Sequence, residues 1–182
     1  MKRLAHLDVY GEVDENQVTC KIVDAKWVDR DMEGAKGQEV RSRICARQFA
    51  STAMEDLFAG TPDPIVIRAA ISKLATDKRK VLLVADVTSA YYQAPAVMRQ
   101  VVRPPPDVGV PGWLWGLNKA MPGLRIASRS WQDHYAEVVT EKVGLNRSLI
   151  DSCAFAGDDG ETVSGIWGDD LIASGRRQDI EK

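Results

Sequence analysis

The sequence predicts an α+β fold in which strands pair mainly as antiparallel hairpins, with helical segments between them along the chain. Three observations carry that prediction. β-Prone, partly alternating segments flank turns at 32–38, at 159–160 and at 168–170. Two stretches, 63–80 and 121–144, carry helical spacing with start and stop signals. One short apolar run, 81–87, is strand-like with an acid at its end. The 182 residues are 45% apolar and 27% charged, enough to bury a real core as one globular unit or one with two lobes.

The same composition narrows the function classes. A net charge of −2 is not that of a basic nucleic-acid-binding domain. Lys and Arg are nevertheless clustered, at 41–47, 78–80, 125–129 and 176–177, as solvated surface or as local phosphate sites. Three separated cysteines, Cys20, Cys45 and Cys153, read as free thiols of a reducing compartment, and no Cys or His pairing points to zinc. The start lacks an apolar run of signal-peptide length, and nothing approaches the roughly 18 apolar residues of a membrane span. An intracellular protein away from membranes is the expectation.

Taken in order, "VTCKIVDAKWVDRD" (18–31) and "EVRSRICARQF" (39–49) flank the turn "MEGAKGQ" and form a hairpin. In its second strand Arg41, Arg43, Cys45 and Arg47 fall on one face, because side chains repeat every second residue. That face is either wet sheet surface or a polyanion site. "DPIVIRAAISKLATDKRK" (63–80) is a helix capped by Asp63, with Pro64 in its first turn and Ile67, Ala70, Ile71 and Leu74 as its apolar face. "VLLVADV" (81–87) is a buried strand. Asp86 at its end is either a helix cap for "TSAYYQA" or a site residue. "RPPPDVGVPG" (103–112) is a stiff connector. "MPGLRIASRSWQDHYAEVVTEKVG" (121–144) turns on Pro-Gly and becomes a helix that Gly144 stops. "SCAFAGDDGETVSGIWGDDLIASG" (152–175) alternates strand and turn. Asp158 and Asp159 are explained by an Asp-Gly hairpin turn. Asp169 and Asp170 sit at a second tight turn without that explanation, and they carry the functional weight.

Two carboxylates at a hairpin tip, joined by a third at a strand end, make an oxygen-ligand site. Mg²⁺ takes one or two carboxylates plus substrate phosphates and keeps several waters. Two such ions about 4 Å apart serve both the attacking and the leaving oxygen of an in-line displacement. Asp86 is the expected third acid, so the three are expected to converge.

In order along the chain, "KWVDRD…VRSRICARQF", "VADVTSAYYQAPA", "MRQVVRPPPDV", "LNKAMPGLRIASRSW", "LIDSCAFAG" and "GIWGDDLIASG" resemble the six motifs of the reverse transcriptases of Ty1/copia-type retrotransposons. The resemblance runs from about Trp27 to Gly175. It implies the fingers and palm of a right-hand polymerase, the palm a mainly antiparallel sheet with helices 64–79 and 128–143 packed on one face. Fingers-like segments would be about 18–80 and 95–125, palm-like ones about 81–94 and 126–175, with 1–17 and 176–182 poorly ordered. No thumb, RNase H or other polyprotein region follows Gly175 here, so the chain reads as a fingers–palm fragment of a transposable element whose missing parts would be partners.

The resemblance also implies roles. Asp86, Asp169 and Asp170 would hold two Mg²⁺ ions, or Mn²⁺ in their place, with the Val87 carbonyl as a further ligand. Arg43 and Arg47 would grip the triphosphate of a dNTP through their planar forks. Tyr91 would be the gate against a ribose 2′-OH, although a core tyrosine at a strand–helix junction is the alternative reading. Arg125 would lie against the nucleotide, and Trp167, Gly168 and Arg41 against primer and template. The implied activity is RNA-directed DNA synthesis, nucleotidyl transfer from a dNTP to a primer 3′-OH on an RNA or DNA template. The alternative is a catalytically silent, truncated or domesticated module that at most binds nucleic acid. The chain departs from the family pattern at Trp167 and Gly168 in the Asp-Asp box, at Pro122 before Gly123, and at Arg125-Ile126-Ala127-Ser128, where the pattern's Lys-Gln-Ala-Pro would supply an amide to the nucleotide.

Overall fold

In a computed structural model, residues 2–34, 37–49 and 57–181 are described. In chain order the elements are α1 (Lys2–His6), β1 (Tyr10–Asp14), β2 (Ile22–Gly34), β3 (Gly37–Ala46), α2 (Pro64–Thr76), β4 (Lys80–Asp86), β5 (Val101–Arg103) and β6 (Trp113–Leu117). There follow α3 (Ala127–Val138), β7 (Asn146–Arg147), β8 (Ala154–Ala156), β9 (Val163–Trp167), β10 (Asp170–Arg176) and α4 (Arg177–Ile180). The chain divides into two compact units, 1–57 with 91–130, and 58–90 with 131–182. The tip of the first hairpin, at 35–36, and the segment 50–56 lie outside the described residues.

The first unit holds a sheet of order β1-β6-β5-β2-β3. The expected N-terminal hairpin forms, with β2 and β3 antiparallel from Ala25↔Ala46 to Gly34↔Gly37. Parallel pairing of β2 with β5 attaches that hairpin to the rest of the sheet. Of residues 1–17, expected to lack order, 2–17 carry α1 and β1. β1 pairs along its whole length with β6, and the Tyr10 ring stacks on Trp115 with centroids 4.1 Å apart. Leu4 and Val9 are buried. The partner strand is far away in sequence, so local pattern gave no sign of it. The Pro-Gly turn is held to β3 by the Ala46 N–H, which donates to the Pro122 carbonyl at 2.8 Å. Gly123 then has φ +88°, and a side chain there would strike the Ala46 carbonyl.

The second unit holds a sheet of order β4-β10-β9-β8-β7, antiparallel throughout. β4 is its edge, so the expectation of a buried strand is corrected. Strand β4 is paired on one side only, and Val84 is 70% exposed. The expected cap of α2 is present, the Asp63 carboxylate accepting from the Ile65 N–H at 2.8 Å. Its buried residues are Val66 and Ala70, while Ile71 is exposed. The buried stripe has turned toward Val66 because Gly165 lets the helix approach: a Cβ at Gly165 would lie 2.6 Å from Val66 Cγ1. α3 passes into a π-helical turn at Val139–Val143 that Gly144 closes.

The helices do not share one face of this sheet, as had been expected. Val66 of α2 meets the sheet at Gly165, whereas Tyr135 of α3 reaches Ser164, Oη to Oγ 3.4 Å, and packs edge-on against Phe155. Neighbouring residues of a strand point to opposite faces, so α2 and α3 cover opposite sides. At the other end, 176–182 was expected to be poorly ordered, but 177–180 form α4, held by an Arg177–Glu181 ion pair at 2.9 Å.

Lys80, at the start of β4, is buried, its side chain 2% exposed. Its ammonium reaches Glu161 Oε2 at 2.8 Å and Thr76 Oγ1 at 3.0 Å. The hydrogen bond from Lys80, reinforced by its charge, holds the Glu161 carboxyl below the ordinary glutamate value of 4.5. A depressed carboxyl stabilises the fold fully above its unfolded value and loses that contribution as pH falls through the folded one. Glu161→Gln should therefore lower the melting temperature at neutral pH, because it leaves a buried ammonium without its counter-charge. Melting curves recorded between about pH 5 and pH 3 should show the wild type losing more stability than the variant. Parallel losses would show that the pair does not contribute.

Candidate active site

The acidic end of the β4·β10 ladder is built by register. Asp170 is the direct partner of Asp86, followed by Leu171↔Ala85 and Ile172↔Val84. Beyond that pair the Val87 N–H donates to the Asp169 carbonyl at 2.7 Å. In an antiparallel ladder, hydrogen-bonded and non-hydrogen-bonded pairs alternate. With Val87 and Asp169 bonded, Asp86 and Asp170 form the closer, non-hydrogen-bonded pair, their Cα atoms about 4.5 Å apart. Both side chains are exposed and point to the same face. Like charges directly opposed across strands are unfavourable, so the chain gains no stability from this pair on its own.

The other acidic pair behaves differently. Asp158 accepts from Asn146 Nδ2 at 2.5 Å, and Asp159 accepts from the Glu161 N–H at 2.9 Å. Those carboxylates are used by their own loop. Asp86, Asp169 and Asp170 make no side-chain hydrogen bond or ion pair among the described residues.

The turn between β9 and β10 consists of Gly168 and Asp169, closed by the pair Trp167↔Asp170. Gly168 has φ +62° at the first central position, the place a type II′ hairpin keeps for glycine. The Asp-Asp turn thus obtains its glycine in front of the first Asp, which accounts for Gly168 structurally. Its carbonyl accepts from Trp131 Nε1 at 2.6 Å, tying the hairpin tip to α3. Trp131 was not picked out as a site residue, although it closes the segment "LNKAMPGLRIASRSW"; the signal was a tryptophan inside a motif. Trp167 is 47% exposed beside the acids.

The donor set suits a hard cation that arrives with its own oxygen ligands. Two unpaired carboxylates in direct register are what Mg²⁺ takes from a protein when phosphates supply the rest. They are not a closed cage: among the described residues no three acidic, His or Cys side chains stand ready to hold an ion. Asp169 is the second turn residue, just outside the ladder, and its backbone is engaged by Val87.

The remaining candidates belong to the first unit. Arg41 and Arg43 are exposed on β3. Arg47 follows the strand; its N–H donates to the Asp24 carbonyl at 2.7 Å and its guanidinium lies 5.9 Å from the centre of the Phe49 ring. Tyr91 is half-buried, its hydroxyl 3.4 Å from Ser128 Oγ. The neighbouring Tyr92 is the core tyrosine of the pair: its hydroxyl donates to the Ile44 carbonyl at 3.2 Å, and burial pushes its phenol well above the ordinary value. Arg125 is positioned through its backbone, whose N–H donates to Gln48 Oε1 at 2.8 Å. Gln48, two residues past the strand end, is a second positioning residue that strand alternation did not reveal.

A family model described as reverse transcriptase (RNA-dependent DNA polymerase) matches residues 8–182. The chain matches no curated protein. No helix among the described residues is long and apolar enough to cross a membrane.

Trp131→Phe keeps the ring and removes the N–H that holds Gly168. The loss should amount to about 1 kcal/mol, the net worth of one such bond. It should be felt at the tip, with hydrogen exchange of the Val87 amide accelerating about fivefold while amides in β8 are unchanged. An unaltered Val87 rate would remove Trp131 from the support of the turn.

Proposed function

Since the chain belongs to the reverse transcriptase (RNA-dependent DNA polymerase) family, we propose that it carries out RNA-directed DNA synthesis of the Ty1/copia retrotransposon type, with Asp86, Asp169 and Asp170 as its catalytic acids. The observation that carries this reading is the direct pairing of Asp86 with Asp170 at the head of the β4·β10 ladder. These two carboxylates are free of protein partners among the described residues, and Asp169 adds a third acid at the adjoining turn.

When bound, a pair of Mg²⁺ ions, or Mn²⁺ in their place, would neutralise charge on the triphosphate and on the attacking 3′-oxygen. The chain's contribution is positioning. Asp86 and Asp170 supply carboxylate oxygens from two strands whose register is fixed by backbone hydrogen bonds, so little reorganisation accompanies binding. The Val87 carbonyl is a further oxygen ligand in this reading. Arg43 and Arg47 bind triphosphate oxygens, where a planar guanidinium engages two at once. The Tyr91 ring takes the space a ribose 2′-OH would need, which favours deoxynucleotides. Arg125 lies against the nucleotide, Trp167 and Gly168 against the primer end, and Arg41 against the template.

Primer extension on poly(rA)/oligo(dT) with Mg²⁺ or Mn²⁺ tests this. Wild type should incorporate dTMP, and Asp86→Asn or Asp169→Asn should each reduce incorporation by about 10²-fold or more, as expected when a group stabilising transition-state charge is lost. The alternative, a catalytically silent module that at most binds nucleic acid, predicts no incorporation above that of the Asp169→Asn control.

A further inference from the structure

The end of the β9–β10 hairpin remote from Asp169 and Asp170 borders a cavity of about 140 Å³. Thr162 lies just before β9, and Asp179 just after β10, in α4. The other walls come from Asp159 and from Val143, Gly144 and Leu145, where the π-helical turn that continues α3 ends. All of these residues belong to the second unit. The volume is several times the room that one water needs.

The polar groups around this cavity are acceptors. The Gly144 and Leu145 N–H groups both bond to the Val139 carbonyl, so the carbonyls that follow Val139 in the turn have no backbone donor. A helix end in that state carries partial negative charge. Asp159 uses Oδ1 to accept from the Glu161 N–H at 2.9 Å, and its Oδ2 has no hydrogen bond among the described residues. Thr162 is only 5% exposed, yet its hydroxyl has no hydrogen-bond partner among the described residues. Gly175 leaves that hydroxyl its room, since a Cβ there would lie 2.7 Å from Thr162 Oγ1. Among the described residues, Ser174 Oγ is the one side-chain polar atom sealed from solvent without a partner. Thr162 Oγ1 therefore keeps contact with solvent, and the cavity that Thr162 lines is its opening.

These acceptors select the ligand. Two carboxylates beside a helix C-terminus call for a cation. A bare metal ion is poorly served, because among the described residues no three acidic, His or Cys side chains gather to hold one. An ammonium group has three N–H donors and no acceptor, one donor each for Asp159, Asp179 and Thr162. Val143 and Leu145 offer hydrocarbon against which a short alkyl stem packs.

We propose that this cavity binds a short primary alkylammonium ion, that of a free diamine or of a lysine side chain. Its head group bonds to Asp159 Oδ2, the Asp179 carboxylate and Thr162 Oγ1, and its stem lies against Val143 and Leu145. No residue of this site takes part in the polymerase reading, so each can fail without the other.

Titration of n-butylammonium into the isotope-labelled whole chain, followed by amide chemical shifts, tests this. The Gly144, Gly157 and Glu161 amides should shift saturably while the Val87 amide stays in place. Asp179→Asn should weaken binding about tenfold, as when a charge-assisted hydrogen bond is lost, and Thr162→Val about fivefold. Tetramethylammonium has the charge without an N–H donor and should give no saturable shift. Putrescine binding more tightly than Nα-acetyl-lysine amide would identify a free diamine as the ligand, and the reverse order a lysine side chain. The proposal is overturned if n-butylammonium gives no saturable shift. It is equally overturned if Mg²⁺ or tetramethylammonium at matched ionic strength moves the same amides as far, or if Asp179→Asn and Thr162→Val bind as the wild type does.

Discussion

The antiparallel register of β4 on β10 is the constraint on which the rest of the second unit depends. It is set by backbone hydrogen bonds along the two strands and continues one step past them, where the Val87 N–H meets the Asp169 carbonyl. A slip of one residue would turn every side chain of β4 to the other face. Asp86 would then face away from Asp170, and Val84 and Leu82 would exchange places with Leu83 and Ala85. The chain accepts two opposed carboxylates at the head of this ladder, an arrangement that is unfavourable without a cation, whereas Asp158 is bonded to Asn146, Asp159 to the Glu161 amide and Glu161 to Lys80. Under the proposed function, that local opposition of charge makes the head of the ladder a candidate cation site.

Support for that register comes from small residues as much as large ones. Gly165 admits Val66, so α2 lies close on the face of Asp86 and Asp170. Gly168 makes the two-residue turn possible, and Trp131 fastens its carbonyl from α3. In the first unit, Gly123 lets the Pro-Gly turn press on Ala46, and Gln48 then holds the backbone of Arg125. Both devices immobilise backbone next to candidate functional side chains, and at the hairpin tip Asp169 and Asp170 are left exposed. A rigid backbone under the unpartnered carboxylates of Asp86 and Asp170 is the arrangement expected of a site that must not reorganise when its ligand arrives.

How much of this could be read from the sequence depended on distance along the chain. The hairpin tip bearing Asp169 and Asp170 was legible because its information is local: two apolar runs around two turn residues. The cap and first turn of α2 were legible for the same reason. The pairing of β1 with β6 was not, since neither strand announces so distant a partner, and residues 1–17 were therefore expected to lack order. The buried stripe of α2 was misread because the cavity it fills is an absent side chain, at Gly165. The placement of α2 and α3 on opposite faces turns on the alternation of Ser164 and Gly165, which no helical periodicity encodes. Asp86 could be seen as an acid ending a strand, and the chemistry of an oxygen-ligand site suggested that it meets Asp169 and Asp170, but its direct pairing with Asp170 is a matter of register that the sequence does not encode.

Shared coordination of one cation by Asp86 and Asp170 is the claim most open to direct measurement. Mn²⁺ affinity in the presence of a dNTP, followed by electron paramagnetic resonance, should fall in Asp86→Asn and in Asp170→Asn. The double variant should be little worse than either single one, because ligands of the same ion are not additive. Losses that simply add, or single variants that bind as wild type does, would contradict the account.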